Sequence, residues 1–251
     1  MMKKVATTIV IAVMAGTLFS SSAWAKSDQA RNQLVALGDS ITYGYNLGVD
    51  NETPSEFAFP YLMKQDAKLK VNDLAIPGIT STQLLDVVQQ DKLIRQDVKH
   101  ADYITLDIGN NDLLQAVAAA TNNGVLNIAA LQQNLQNVVV PNLLYTLKST
   151  ILEIRSLTDA PIAVYNIYNP YQVTNQPMYT YSELLLTQLV NNNLASLIDS
   201  LKSSGIDNLA LANAYLAFKD KQNLYVRPND VHPTIEGQKI LAEIGIEALG
   251  L

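Results

Sequence analysis

Short apolar runs rich in β-branched residues alternate along this chain with longer stretches whose apolar residues recur at helical spacing. That alternation leaves few folds open. A strand apolar along its whole length must be covered on both faces, and joining two such strands in parallel needs a crossover long enough to hold a helix. Candidate strands lie at residues 34–37, ending at Gly38; 70–75, ending at Pro77-Gly78; 103–108, ending at Gly109; 162–168, ending at Asn169-Pro170; and, more weakly, 207–211. Helices are predicted over 57–68, 81–90, 128–157, 182–203 and 234–249. Thr80 with Gln83 has capping-box spacing, Gly205 is a natural C-terminal stop, and Pro141 should kink or split the longest helix. The pattern predicts an α/β domain whose mostly parallel sheet carries helices on both faces.

The start of the chain reads differently. Met1-Met2-Lys3-Lys4, an apolar run from Val5 to Phe19 and the small-residue pattern Ala23-Trp24-Ala25 predict a secretory signal peptide over residues 1–25. The run is too short to span a bilayer, and no cysteine stands at the cleavage point to take a lipid anchor. A single secreted domain, 26–251, without a stable membrane anchor is therefore expected. A chain with no cysteine cannot be stapled by disulfides, so its core must suffice, and 48% hydrophobic residues make that feasible. With no cysteine and only His100 and His232, thiolate and multi-histidine metal sites are excluded, and no cofactor is expected. A formal charge of −6, without a basic cluster beyond the start, argues against nucleic acid as a partner.

In a parallel sheet the working surface lies beyond the carboxyl ends of the strands. There the sequence places Gly38-Asp39-Ser40, Gly78, Gly109-Asn110-Asn111-Asp112 and, after the last candidate strand, Asp230-Val231-His232-Pro233. Taken singly each has a plain reading: a capping serine, a turn glycine, a cap for the next helix, a surface histidine. Together they supply a hydroxyl, an imidazole, acids, an amide and glycines that let backbone N–H groups come close, which is what acyl transfer requires. His100, in Lys99-His100-Ala101-Asp102, reads as a solvated turn residue.

These four blocks, in this order, resemble the consensus blocks of the SGNH (GDSL) hydrolases. The resemblance runs from about Leu34 to the C-terminus. It implies a three-layer α/β/α sandwich, flavodoxin-like, with a five-stranded mainly parallel sheet, and hydrolysis of carboxylic esters through an acyl-enzyme. Carried over by position, it implies Ser40 as nucleophile, His232 as its base, and an oxyanion hole made by the Ser40 N–H, the Gly78 N–H and the Asn111 amide. The serine is not in a G-x-S-x-G elbow, because Thr42 stands where the second glycine would be. One departure stands out: the family's acid lies three residues before the histidine, where this chain has Asn229, whereas Asp230 is two before. A negative partner stabilises an imidazolium, so Asp230 is the expected third member, with Asn229 or a backbone carbonyl as the alternative orienter.

The substrate side is less defined. Tyr165, Tyr168, Tyr171, Tyr179 and Tyr181, with Pro170, Pro177 and Met178, form either an aromatic rim around a substrate or a long loop packed on itself. Tyr43, Tyr45, Leu113 and Leu114 are candidates to line a pocket. The expected substrate is a small-molecule or lipid ester. A carbohydrate or cell-wall O-acetylesterase on the same residues, and a non-catalytic surface-binding module, stay open as alternatives.

Overall fold

The computed structural model describes residues 32–251, so the expected signal peptide lies outside the described residues. The chain enters β1 (Gln33–Gly38), turns through α1 (Ser40–Tyr43) and α2 (Phe59–Ala67) into β2 (Lys70–Asp73), and returns through α3 (Ser81–Gln90) and α4 (Lys92–Lys99) to β3 (Tyr103–Asp107). Next come α5 (Asn110–Ala119) and a small hairpin of β4 (Thr121–Asn122) and β5 (Val125–Leu126). A long helical run follows: α6 (Ile128–Asn134), a π-helical segment (Leu135–Val139) and α7 (Val140–Leu157). After β6 (Ile162–Tyr165) a second such run comprises α8 (Gln176–Leu185), a π-helical segment (Leu186–Asn191) and α9 (Asn192–Ser203). The chain closes with β7 (Leu209–Ala212), α10 (Ala214–Phe218), α11 (Gln222–Tyr225) and α12 (Ile235–Leu249).

The five long strands form one parallel sheet in the order β2-β1-β3-β6-β7. Successive residues of a strand face opposite sides, and the core divides accordingly. Val35, Leu37, Ile104, Leu106, Ile162 and Val164 pack with Leu84, Val88, Leu147, Ile151, Leu194 and Ile198, from the α3, α7 and α9 layer. Leu34, Ala163, Tyr165 and Ala212 pack against Phe59, Met63 and Leu241 of α2 and α12. This is the expected three-layer α/β/α sandwich. The strand order reverses at β1, between the β2 and β3 sides, which opens a crevice at the carboxyl ends of β1 and β3.

The structure corrects several expected boundaries. The second, third and fourth strands stop at Asp73, Asp107 and Tyr165, and the fifth is Leu209–Ala212. Pro141 does not split the long helix. The π-helical segment just before it changes the hydrogen-bonding register, so the missing N–H and the ring are accommodated where an α-helix would clash. The run expected at 182 begins at Gln176, with Pro177 in its first turn, where an absent N–H costs nothing. The tyrosine-rich stretch is therefore not one long loop: Tyr179 and Tyr181 belong to α8.

Asp73, at the end of the edge strand β2, has one carboxylate oxygen accepting from the Ala75 N–H (3.0 Å), while the other is buried without a partner among the described residues. Burial pushes its pKa up to about 7, from 3.8. Between those values the folded chain holds more protons than the unfolded chain, so this group's contribution to stability falls as pH rises through that window. We predict that Asp73→Asn, which keeps the acceptor and removes the charge, raises the thermal midpoint at pH 8 relative to its effect at pH 5. The pH-dependent part is at most about 4 kcal/mol, for roughly three pKa units. Thermal unfolding of both proteins at both pH values checks it, and an equal difference at the two pH values would show that Asp73 does not titrate in this range.

Candidate active site

The site starts with a close approach of backbones. A Cβ on Gly38 would stand 2.1 Å from the Thr42 hydroxyl and 2.7 Å from the Asp107 carbonyl, so only glycine ends β1 here. Asp39 then caps α1, accepting from the Ile41 N–H (2.9 Å), which makes Ser40 the first helical residue and leaves its N–H without an intrahelical partner. The turn ends at Gly44 in the left-handed conformation.

The histidine arrives from the far end of the sequence on a tight loop. Val226 and Pro233 form an isolated antiparallel bridge, the Arg227 N–H donates to the His232 carbonyl (3.0 Å), and the Thr234 N–H donates to the Tyr225 carbonyl (2.8 Å). The loop is also tied to the sheet, since the Tyr168 hydroxyl donates to the Val231 carbonyl at 2.6 Å. This places His232 Nε2 3.0 Å from Ser40 Oγ, across 192 positions of sequence. The Tyr45 ring lies against the imidazole, with centroids 5.4 Å apart.

Asp230, rather than Asn229, meets the other ring nitrogen: its Oδ1 is 2.5 Å from His232 Nδ1 and also accepts from the Val231 and His232 N–H groups at 2.7 and 3.2 Å. Asn229 has φ of +56°, the left-handed conformation that asparagine tolerates better than most residues. The reach across two residues comes from Asp230 itself, whose side chain turns back on the backbone N–H two residues on, an Asx turn that sets the same oxygen against the ring. Burial alone would raise the Asp230 pKa, but the hydrogen bond and charge of His232 and the two N–H donors outweigh it and hold the carboxyl below its usual range. Arg227 faces its other oxygen, with Nε 3.6 Å from Oδ2, and donates through Nη1 to the Asn46 carbonyl. One guanidinium thus joins the histidine loop to the segment carrying Tyr45.

Gly78 has φ of +83°, which L side chains rarely adopt, and a Cβ built on it would meet nothing, so glycine here leaves open space beside its backbone. Neither the Ser40 nor the Gly78 N–H meets an acceptor among the described residues. Asn111 Nδ2 donates to the Ile79 carbonyl (2.9 Å) and, at 3.4 Å, to Asp39 Oδ2. Asp112, next to it, accepts from the Ser81 N–H (2.9 Å) and hydroxyl (2.6 Å), fixing the start of α3 behind the Gly78 turn. Two acids lie beneath. Asp39 also accepts from Asn110 (3.2 Å); burial pushes its pKa up to about 6, and the Ile41 and Asn110 hydrogen bonds limit the rise. Asp107 is raised well above the usual carboxylate range by burial and by the Asp39 charge.

A hydroxyl hydrogen-bonded to an imidazole, whose other nitrogen meets a carboxylate, can attack an acyl carbon. The model of the GDSL-like lipase/acylhydrolase family matches residues 34–244. The chain belongs to that family. It is accordingly a carboxylic ester hydrolase. A search of curated proteins returned no match. Among solved structures, the fold of this GDSL-family chain is similar to that of a lipase from a goat rumen metagenome, with TM-score 0.67 and 21% identity over 87% of this chain and 97% of that one. An extracellular lipase from Streptomyces rimosus gives 0.62 and 18% over 86% and 99%. A catalytic mutant of an acetylxylan esterase from Geobacillus stearothermophilus gives 0.58 and 18% over 88% and 94%.

Two contacts of the GDSL-family site carried no sequence signal. Arg227 is adjacent to the fourth block, but nothing in the pattern says that its guanidinium turns toward Asp230. Tyr168 comes close to Val231 only through the fold. Of the other tyrosines, Tyr165 is buried under the sheet, where it donates to the Leu241 carbonyl, and Tyr179 donates to Asp220. They are structural, whereas Tyr168 and Tyr171 line the crevice.

The two candidate orienters separate cleanly by substitution. Asp230→Ala should lower kcat about 10²–10⁴-fold, by loss of the group that holds and charges the ring. Asn229→Gly, which accepts a positive φ without strain, should stay within a few-fold of the parent. Steady-state kinetics on one soluble ester decides between them: a large loss in Asn229→Gly with a small one in Asp230→Ala reverses the assignment.

Proposed function

We propose that this GDSL-family chain is an exported serine esterase of lipase type that cleaves carboxylic esters with apolar acyl groups through an acyl-enzyme on Ser40. The observation that carries the reading is the 3.0 Å contact between Ser40 Oγ and His232 Nε2, with Asp230 behind the ring. In this reading neutral His232 takes the Ser40 proton as Oγ bonds to the ester carbon. The carbonyl electron pair moves to oxygen, giving a tetrahedral oxyanion. The Ser40 and Gly78 N–H groups and the Asn111 amide are the donors for it, and Asn111 exchanges its long contact to Asp39 for the oxyanion. The intermediate collapses, the C–O bond to the alcohol breaks, and His232 protonates the leaving oxygen. Water then repeats the sequence with His232 as base, releasing the carboxylic acid and restoring Ser40.

The acyl preference rests on the surroundings of Ser40. A cavity of about 80 Å³ is bordered by Ile41 and Asn110 and otherwise walled mainly by apolar side chains, Leu114 and Ile167 among them. A wider and more polar cavity on the Asp230 side, of about 580 Å³, is bordered by Gln172, Thr174, Asn175 and Arg227, and suits the alcohol part of the ester. That polar cavity is what favours the second reading, an O-acetylesterase acting on carbohydrate, in which the sugar would sit there. Export rests on the N-terminal sequence pattern.

An alkyl fluorophosphonate should label the protein stoichiometrically at Ser40, and Ser40→Ala should abolish both labelling and ester hydrolysis. Asn111→Ala should keep substrate binding while lowering kcat about 10²–10³-fold, the usual effect of removing one oxyanion donor. Mass spectrometry of the labelled peptide and kinetics on nitrophenyl butyrate provide the check. Labelling that survives in Ser40→Ala would refute the nucleophile assignment.

A further inference from the structure

Behind the apolar cavity beside Ser40 lies a second one, of about 70 Å³, whose far wall includes Leu126, Leu131, Leu135, Met178 and Val190. Leu113, Val117, Tyr171, Ser182 and Leu186 line both cavities, so one set of side chains forms the partition between them. The first cavity is bordered by Ile41 and Asn110, the sequence neighbours of Ser40 and Asn111; the second is lined from the β4–β5 hairpin and from α5, α6 and α8. Both belong to one line of apolar surface leading away from the serine.

The second chamber sits where both π-helical segments occur. Leu135 begins one, and Leu186 and Val190 belong to the other. A π turn admits one residue more than an α turn and offsets the side chains that follow, and such turns concentrate at functional sites. Here the offset is held by polar pins. Asn191, buried, accepts from the Ile167 N–H (3.1 Å) and donates to the Ile167 carbonyl (2.8 Å), tying the segment to the chain leaving β6. Asn169 donates to the Tyr179 carbonyl (3.0 Å) and to Glu183 (2.8 Å), holding α8. Interiors otherwise close to crystal-like density, because lining atoms without neighbours lose dispersion contacts. An apolar space kept open by satisfied polar contacts on its wall is thus a feature that the packing maintains.

We propose that the second chamber receives the distal end of an unbranched acyl chain whose carbonyl sits at Ser40, so that the preferred substrates are esters of medium to long fatty acids, with the partition residues Val117, Ser182 and Leu186 forming the neck that the chain passes and the far wall setting its length. The proposal rests on the reading of Ser40 as nucleophile. Burying each methylene favours the complex up to about fourfold, so selectivity should build with length until the far wall is met.

The test is the chain-length profile of nitrophenyl esters from acetate to palmitate. Wild-type kcat/KM should rise beyond butyrate and peak at octanoate or longer. Val117→Phe and Ser182→Phe, each filling the partition from a different helix, should lower the laurate-to-acetate ratio of kcat/KM tenfold or more. A wild-type maximum at acetate or butyrate overturns the proposal, as does an unchanged ratio in a variant with a wild-type melting temperature. Should both variants fail to fold, the Ser40→Ala protein decides: it should bind laurate at least tenfold more tightly than octanoate, and equal affinities overturn the proposal. Failure of the underlying reading looks different, because then the fluorophosphonate would not label Ser40 even where laurate binding shows the graded affinity.

Discussion

The central constraint on this molecule is that β1 is hydrogen-bonded on both sides, to β2 and to β3, in a sheet whose order reverses there. The connections leaving β1 and β3 must then diverge to opposite faces, and the gap between them cannot be closed by the helices that cover the rest of the sheet. Everything chemical is placed relative to that gap. Ser40 follows β1 by one turn, Asn110 and Asn111 follow β3, and the Gly78 turn follows β2, anchored by the Ile76 N–H donating to the Gly38 carbonyl (3.0 Å). His232 is the exception. It comes from no strand end but from a loop closed by its own backbone pairing and held by Tyr168 and Arg227. The scaffold therefore presets three of the four parts, and the fourth depends on side-chain ties that a short loop would otherwise lack.

The altered spacing before the histidine is met within the loop itself. Asp230 closes an Asx turn, its Oδ1 accepting from the Val231 and His232 N–H groups, and this sets the same oxygen against Nδ1, while Asn229 before it takes the left-handed conformation that asparagine bears at less penalty than bulkier residues. Arg227 lies opposite the second carboxylate oxygen, so the acid is held from both ends. A motif that departs from its usual spacing can keep its ring contact when the acid turns back on its own backbone.

The fold was largely legible in the sequence because a parallel sheet requires buried, apolar strands, and those are visible as short runs between helical patterns. Ser40, Gly78, Asn111 and His232 were legible because their residue types recur in order. What escaped detection depended on long-range contact. The second, third and fourth strands are shorter than their candidate runs because β pairing stops where the neighbouring strand stops, as at Tyr165. A local rule makes Pro141 a kink or a split, because it cannot see that the preceding turn is π-helical. The tyrosine-rich stretch was read as a loop or a rim because the helix starting at Gln176 opens with Gln-Pro, without a conventional side-chain cap. Arg227 left no trace in the pattern, since a charged residue near a turn is ordinary.

The buried acids beneath the site show how the same crevice sets its own electrostatic background. Asp39 spends one oxygen on the Ile41 N–H and the other on Asn110 and Asn111, so its charge is what keeps two amide donors oriented in a region with little water. A second charge at Asp107 would repel the first in the same dry space, and Asp107 instead favours its protonated form, near the Thr42 hydroxyl at 3.4 Å. One charged and one neutral acid is the arrangement that low-dielectric surroundings tolerate. Because the oxyanion reading draws Asn111 away from Asp39, the carboxylate that loses this long contact still keeps the Ile41 and Asn110 donors. The rearrangement therefore exposes no unpaired charge, and the amide can turn to a developing oxyanion without leaving a buried acid unsolvated.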